Sequence, residues 1–227
     1  MLESLKKQVV EYAVQAEKKR LCQQGSGNFS IRDPKTGYIC VTPSGVDRAE
    51  LSFHDIIVMN LNAEVIESES GGLRPTSESL MHIQAYKSRP DINAVVHTHS
   101  RFATAFAILN KSIPAVVYET TILNCKNGYI PVAPYGRPGT SALSNSIINP
   151  LKISDATLLQ SHGTLAVGHT LKEALLKISY VEEFAEIYYY SLTIAGKEPP
   201  VVPISELQNW AYPKEITLLD KNIRTSK

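Results

Sequence analysis

The stretch Ala94-Val95-Val96-His97-Thr98-His99 joins three apolar residues to two histidines that are two positions apart. A short apolar run of this kind predicts a strand over residues 94–99. Alternate side chains of a strand point to the same face of its sheet, so the two imidazoles should lie side by side. Because histidine is a common metal ligand, the stretch predicts a strand that ends in a metal site.

Further candidate ligands stand on either side of this stretch. Glu78 follows Pro75-Thr76-Ser77, and His162 lies in Ser161-His162-Gly163. Three histidines and a carboxylate suit zinc, and a zinc site that also admits substrate oxygens is catalytic. His82 comes four residues after Glu78 on the same predicted helical face, where the two could bind metal or form a surface ion pair. Spacing alone leaves open whether His82 or His162 is the third histidine.

Length and charge favour a globular protein that binds small polar molecules. The 227 residues can bury a substantial core, and 43% of them are hydrophobic. With 23 basic and 22 acidic residues the formal net charge is +1. We therefore expect neither nucleic acid nor an anionic membrane as a partner.

Cysteine usage and the N-terminal residues predict a cytoplasmic location. Cys22, Cys40 and Cys125 are too few and too scattered for a disulfide framework, and we expect them to pack as buried thiols. Residues 1–20 carry charges throughout, so we expect an amphipathic helix rather than a signal peptide. No later segment is apolar over the length that a membrane span needs.

Turn residues divide the rest of the chain into short strands and helices. Strands over 29–32, 38–42 and 56–61 predict an antiparallel meander. We further predict helices over 76–87, about 102–109 and after Gly139, and strands over 115–118, 129–132, 157–160 and 165–167. Thr170-Leu171-Lys172-Glu173 is a capping box that predicts a long helix ending at Gly196. The prediction is one α/β domain over residues 1–227, with a mobile tail from about Pro203.

Five short motifs occur in a fixed order along the chain. They are Asn28-Phe29-Ser30-Ile31-Arg32, Thr42-Pro43-Ser44-Gly45, Pro75-Thr76-Ser77-Glu78, His97-Thr98-His99-Ser100 and Ser161-His162-Gly163. Together they resemble the class II aldolase/adducin-head family, over roughly residues 5 to 200. The resemblance implies a three-layer α/β/α sandwich on a mixed, mostly antiparallel sheet. It also implies a homotetramer with four-fold symmetry and active sites between subunits.

The same resemblance implies a ligand set for one Zn²⁺ per subunit. The matching positions are His97, His99, His162 and Glu78, which leaves His82 with a structural role. Glu78 would also be the catalytic base, since substrate oxygens would displace it from the metal and free it to take a proton from carbon. A family tyrosine that acts on the aldehyde oxygen from a neighbouring subunit matches Tyr118. Without the resemblance, Tyr118 is a packed strand residue.

Three residue pairs are candidates for binding phosphate. Each is a turn or a helix start, where unpaired backbone N–H groups and hydroxyls collect and can bind an anion. Ordinary turn and capping roles would explain the same residues. The resemblance implies that they bind phosphate: Gly27 with Asn28, Ser44 with Gly45, and Thr76 with Ser77.

Within the family the motifs are most similar to enzymes that cleave L-fuculose 1-phosphate to dihydroxyacetone phosphate and L-lactaldehyde. Departures at Glu119-Thr120-Thr121, Arg137 and Ser161 leave the aldehyde open, as does Tyr212, a loosely matched candidate in the tail. Aldolases of 5-deoxypentulose or methylthioribulose phosphates remain alternatives. A 4-epimerase of the L-ribulose-5-phosphate type would carry aspartate in place of Glu78. A non-enzymatic adducin-like module would lack the ligands, and an unrelated zinc hydratase or hydrolase would leave the phosphate turns unexplained.

Overall fold

The computed structural model describes residues 1–208. Its strands are β1 (Asn28–Arg32), β2 (Ile39–Val41), β3 (Ile57–Met59), β4 (Val65–Glu67), β5 (Ala94–Thr98), β6 (Ile113–Pro114), β7 (Tyr129–Ile130), β8 (Val132–Ala133), β9 (Ala156–Leu159) and β10 (Gly163–Gly168). Its helices are α1 (Glu3–Lys18), α2 (Ser79–Ser88), α3 (Arg101–Ile108), α4 (Ser141–Ser146), α5 (Pro150–Ile153), α6 (Leu171–Ala195) and α7 (Ile204–Gln208). Short 3-10 helices cover Phe53–Asp55 and Tyr118–Leu123.

Eight strands form one sheet in the order β4-β3-β2-β1-β5-β10-β9-β8. Every neighbouring pair is antiparallel except β8 and β9, which are parallel. The first four strands follow one another in space as they do in sequence, which confirms the predicted meander. β5 lies in the middle of the sheet, between β1 and β10, and every residue of it is buried.

Helices cover both faces of this sheet. On one face, Val96 and Phe29 belong to a core cluster that takes in buried residues of α1, α3 and α6. On the other face, Val95 and Leu165 belong to a cluster with buried residues of α2, α4 and α5. The apolar run of β5 faces both ways because alternate side chains of a strand point to opposite faces. The predicted three-layer sandwich is confirmed.

Local sequence signals determine the ends of the long helices. In α6 the Thr170 hydroxyl accepts a hydrogen bond from the Glu173 N–H at 3.1 Å, and Gly196 caps the other end at φ 61°. The Glu173 carboxylate accepts from the N–H of His169, one residue earlier than a standard capping box requires. α1 is the predicted amphipathic helix, but it also buries Lys6, which pairs with Glu67 and Glu69 near β4.

Some sequence predictions were wrong, because hydrogen bonds and packing with other segments override the local secondary-structure preference of the residues. Residues 115–118 form no strand, because the Val116 N–H bonds to the Pro114 carbonyl and Tyr118 opens a 3-10 helix. The strand predicted over 129–132 is broken at Pro131, which has no N–H to donate. As a result β7 pairs with β6, whereas β8 joins the main sheet beside β9. The helix predicted from residue 76 begins at Ser79, and β4 was missed.

Three further predictions concern cysteines, membrane spans and the tail. Cys22, Cys40 and Cys125 are free and buried, as predicted. None of the described helices is both long and apolar enough to span a membrane. The segment after Pro203 begins with α7, and residues 209–227, Tyr212 among them, lie outside the described part.

Candidate active site

Three histidines from two neighbouring strand ends converge at one point. Ring nitrogens of His97, His99 and His162 lie within 4.8 Å of one another. The Nε2 atoms of His97 and His99 are 3.1 Å apart, and the ring centroids of His97 and His162 are 4.7 Å apart. His97 is buried whereas His99 lies at the exposed edge of the group. The cluster is therefore open on one side, where a small molecule could enter.

Glu78 lies against two of these histidines. Its Oε2 lies 3.1 Å from Nε2 of His97, and its Oε1 lies 3.2 Å from Nε2 of His162. The side chain is only 7% exposed. Among the described residues, Glu78 Oε1 accepts no hydrogen bond. A buried carboxylate oxygen without a donor is costly unless a cation binds it, so this set of three imidazoles and one carboxylate fits a divalent metal ion.

The backbone around the cluster allows this close approach. His97 and His99 project from one face of the sheet, while Thr98 between them bonds on the other side to Thr164 at 2.8 Å. His162 stands in the tight loop between β9 and β10, directly before Gly163. A Cβ built on Gly163 would lie 2.4 Å from the Thr98 carbonyl oxygen and 3.0 Å from the His99 ring. Only glycine lets β10 pass this close to the histidines.

Hydrogen bonds and burial prepare the histidines to bind metal. Nδ1 of His97 donates to the Thr164 carbonyl at 2.8 Å, which leaves Nε2 with its lone pair facing the cluster. Burial, followed by repulsion from His97, lowers the pKa of His99 and of His162 to about 4. Both rings are therefore neutral near pH 7, and neutral imidazole is the form that binds metal.

Glu78 stays ionised despite its burial. Burial alone would raise the pKa of the carboxyl group. Electrostatic interaction with the His97 ring, the hydrogen bond from Asn28 and electrostatic interaction with the His162 ring outweigh this effect and hold the pKa well below its usual range. The Asn28 amide donates to Oε2 at 2.8 Å. The carboxylate is thus negative and oriented at neutral pH.

The predicted phosphate turns meet beside this cluster. Asn28 contacts Glu78 directly, and a Cβ on Gly27 would lie 2.6 Å from the His97 carbonyl oxygen. Ser44 donates its N–H to the Arg74 carbonyl at 2.9 Å, and the Thr76 N–H donates to the Thr42 carbonyl at 3.0 Å. These bonds place the turn with Ser44 and Gly45 against the segment with Thr76 and Ser77. Gly45 also borders a surface cleft of about 430 Å³.

Tyr118 lies on a different element from these groups. It opens the 3-10 helix Tyr118–Leu123 with 41% of its surface exposed, so it is not the packed strand residue that its own sequence pattern favours. No hydrogen bond among the described residues joins its hydroxyl to the histidines. A larger cavity, of about 510 Å³, lies beyond the C-terminal end of α2 and contains none of the predicted site residues.

Sequence reasoning missed the polar groups that support the site. His82 is buried and lies outside the metal cluster, where it bonds to Asn28 and Ser30. Arg48 is also buried and donates to the Gly27 carbonyl at 2.6 Å. The alternation of Asn28 and Ser30 along one strand is a signal that could have revealed the first of these contacts. For Arg48 the sequence offers none.

Comparison with known proteins identifies the class. The family model for the class II aldolase and adducin N-terminal domain matches residues 7–189, and the chain belongs to this family. Members of the family that are class II aldolases are metal-dependent and act on sugar phosphates. The histidine cluster supplies a place where this chain could bind such a metal.

Three similar proteins are named as aldolases. The chain is 38% identical to the L-fuculose phosphate aldolase of Escherichia coli strain K12, over 86% of this chain and 87% of the relative. It is 33% identical to the 5-deoxy-D-ribulose 1-phosphate aldolase of Bacillus thuringiensis serovar kurstaki, over 93% and 95%. A solved L-fuculose 1-phosphate aldolase superposes with a TM-score of 0.81 at 30% identity, over 97% and 96%. The chain is an enzyme of the class II aldolase type.

Proposed function

We propose that the chain catalyses the zinc-dependent cleavage of a ketose 1-phosphate, with L-fuculose 1-phosphate giving dihydroxyacetone phosphate and L-lactaldehyde. The observation that carries this proposal is the position of Glu78, whose carboxylate lies 3.1 Å and 3.2 Å from two histidine nitrogens. A buried carboxylate among imidazoles can serve both as a zinc ligand and as a general base. The similarity to fuculose phosphate aldolases supports the substrate.

His97, His99, His162 and Glu78 would hold one Zn²⁺ per subunit. When bound, the ion supplies positive charge that stabilises the enediolate left after the carbon–carbon bond breaks. In condensation the ionised Glu78 would remove the proton from the hydroxyl-bearing carbon, and in cleavage a proton that the carboxylate has taken up from solvent would return to that carbon. Asn28 keeps this carboxylate aimed at the cluster through its 2.8 Å hydrogen bond.

Residues at the edge of the cluster would bind the rest of the substrate. The phosphate group would be held by hydroxyls and by backbone N–H groups other than those of Ser44 and Thr76, which already bond to carbonyls. The residues of this set are Gly27, Asn28, Ser44, Gly45, Thr76 and Ser77. In condensation the Tyr118 hydroxyl would donate its proton to the aldehyde oxygen, and in cleavage Tyr118 would release its own proton to solvent as it accepts the proton of that substrate hydroxyl. Its exposure on one subunit supports a role in the site of the next, within a homotetramer.

A second substrate has support of its own. The 5-deoxy-D-ribulose 1-phosphate aldolase is similar along 95% of its own length. Cleavage of a 5-deoxypentulose or methylthioribulose phosphate would use the same carboxylate and the same phosphate turns. The epimerase alternative has less support, because its carboxylate ligand is aspartate and this chain has Glu78. A cytoplasmic location and a role in carbohydrate metabolism are consistent with either substrate. A role in fucose degradation would follow if the substrate is L-fuculose 1-phosphate.

An assay with three sugar phosphates tests the proposal. Purified protein is incubated with L-fuculose 1-phosphate, 5-deoxy-D-ribulose 1-phosphate or L-ribulose 5-phosphate, before and after treatment with EDTA and after addition of Zn²⁺. We expect release of dihydroxyacetone phosphate from a 1-phosphate, loss of this activity with EDTA and recovery with zinc. Epimerisation of the pentulose 5-phosphate without release of triose would contradict the proposal, as would full activity after complete removal of metal.

A further inference from the structure

A chain of buried hydrogen bonds leads from Glu78 into the space between β1 and α2. Asn28 Nδ2 donates to Glu78 Oε2 at 2.8 Å, and Asn28 Oδ1 lies 2.6 Å from His82 Nε2. On the other side of the imidazole ring, Nδ1 lies 2.6 Å from Ser30 Oγ, which lies 2.8 Å from the Tyr86 hydroxyl. Each of the four side chains beyond Glu78 is at most 5% exposed.

Regular structure places these side chains face to face. Asn28 and Ser30 are two apart on β1 and so point to the same side of the sheet. His82 and Tyr86 are four apart on α2 and share one face of that helix. The strand and the helix therefore contribute alternate side chains to this series of hydrogen bonds.

The Glu78 carboxylate determines which group donates and which accepts in every hydrogen bond of this series. An ionised carboxylate can only accept, so the nitrogen of the Asn28 amide must face Glu78 and the amide oxygen must face His82. His82 then donates from Nε2. Burial lowers the pKa of His82 to about 3, so the ring is neutral near pH 7 and its Nδ1 can only accept. Ser30 must donate to that atom, and Tyr86 donates to Ser30.

We propose that His82 is a positioning residue for Glu78, because its Nε2–H holds the Asn28 amide with the N–H side toward the carboxylate. An amide with its oxygen toward Glu78 would repel the negative charge and remove the donor. This inference rests on the proposed role of Glu78 as metal ligand and base. A carboxylate that moves between metal and substrate needs a fixed anchor, and Asn28 is an anchor only in one orientation.

Kinetics of two substitutions separate this role from simple packing. His82→Leu removes the donor, and we expect kcat to fall about 10- to 100-fold while KM changes less than about threefold. His82→Gln can donate from its own Nε2 to Asn28, and we expect it to recover most of the lost kcat. Met81→Ala is the matched control on the same helix: it removes buried apolar volume, so it should lower stability and leave kcat close to that of the wild type.

Two measurements do not depend on turnover. In the wild type, ¹⁵N NMR of labelled histidine should show the His82 proton on Nε2, with the signal assigned by its loss in His82→Gln. Isothermal titration with Zn²⁺ should show affinity about 10- to 100-fold weaker for His82→Leu than for His82→Gln, each with one ion per subunit.

Each result then bears on one proposal. A His82 proton on Nδ1, or unchanged kcat and zinc affinity in folded His82→Leu, would overturn the positioning role. If His82→Leu does not fold, Ser30→Ala replaces it, because loss of the donor to Nδ1 should still lower kcat by about threefold or more. Wild-type protein that cleaves no ketose 1-phosphate would instead refute the proposed function, and the NMR and zinc measurements would still decide the role of His82.

Discussion

Glu78 shows how one side chain acquires its properties from groups far away in sequence. The carboxylate is buried, yet its pKa stays well below the usual range because the nearby rings of His97 and His162 and the Asn28 donor favour its charged form. It is also at the N-cap position of α2 without capping that helix through its side chain. The carboxylate is therefore free to bind metal and exchange protons.

Replacement of Glu78 by glutamine tests the proposed base directly. The amide is nearly isosteric but cannot accept the proton, so we expect kcat to fall at least about 100-fold with little change in thermal stability. Steady-state cleavage of the preferred ketose 1-phosphate measures this loss. Glu64→Gln, an exposed carboxylate near the start of β4, is the control and should keep wild-type activity. Activity above about a tenth of the wild type in Glu78→Gln would rule out the base.

The buried His82 predicts a pH dependence of stability. In the unfolded chain the His82 ring is protonated below about pH 6.5, whereas in the folded protein its pKa is lowered to about 3. Between these values the unfolded state binds more protons, so the free energy of unfolding decreases as the pH falls. The expected contribution is about 1.4 kcal/mol per pH unit near pH 5.

Urea denaturation of metal-free protein between pH 7 and pH 4.5 measures this effect. His82→Gln cannot take up the proton, so its stability should fall less steeply with acid than that of the wild type. Met81→Ala should be less stable at every pH and keep the wild-type slope. Equal slopes for His82→Gln and the wild type would contradict a neutral buried ring.

At the scale of elements, the active site depends on how closely two strands approach. β5 carries two of the histidines, and the turn into β10 carries the third. The strands pair with Thr98 opposite Thr164 and His97 opposite Leu165. Gly163 sits where the backbones come together, because a side chain there would meet the Thr98 carbonyl.

Substitution of Gly163 by alanine should separate the strands at this point. The new Cβ would lie 2.4 Å from a backbone oxygen, so the strands must shift apart. We expect a loss of about 1–3 kcal/mol in the free energy of unfolding, together with weaker zinc binding. Gly71→Ala is the matched control, since a Cβ there meets nothing within 4 Å, and it should stay within about 0.5 kcal/mol of the wild type. Wild-type stability and zinc affinity in Gly163→Ala would refute this account.

At the scale of the whole molecule, the described part of one chain holds the histidine cluster, and none of its hydrogen bonds joins Tyr118 to that cluster. In the proposed tetramer, Tyr118 of one subunit would act in the active site of a neighbouring subunit. Tyr118 is exposed at the start of a 3-10 helix, where a neighbouring subunit could contact it.

Mixed oligomers test this arrangement. Glu78→Gln and Tyr118→Phe should each have low activity alone. If Tyr118 acts across the interface, unfolding and refolding a 1:1 mixture should recover about a quarter of wild-type activity, because random assembly brings intact Glu78 and intact Tyr118 together at that fraction of interfaces. Unmixed variants refolded separately are the control. No gain on mixing, or a monomer in sedimentation, would contradict the shared site.

The sequence alone predicted the features that short-range patterns encode. The apolar run and spaced histidines of residues 94–99, the amphipathic spacing of α1 and the caps of α6 at Thr170 and Gly196 are such features. Each depends on neighbours within a few residues, so periodicity and capping chemistry suffice. Resemblance to a family added the layer architecture and the choice of His162 over His82 as the third histidine ligand.

Only the tertiary structure decided which distant groups meet. It placed His162 rather than His82 beside His97, because the hairpin of β9 and β10 pairs with β5. It also turned His82 toward Asn28 and divided residues 129–133 at Pro131 between two sheets. These outcomes depend on hydrogen bonds and packing between segments tens of residues apart, and local sequence carries no record of that pairing.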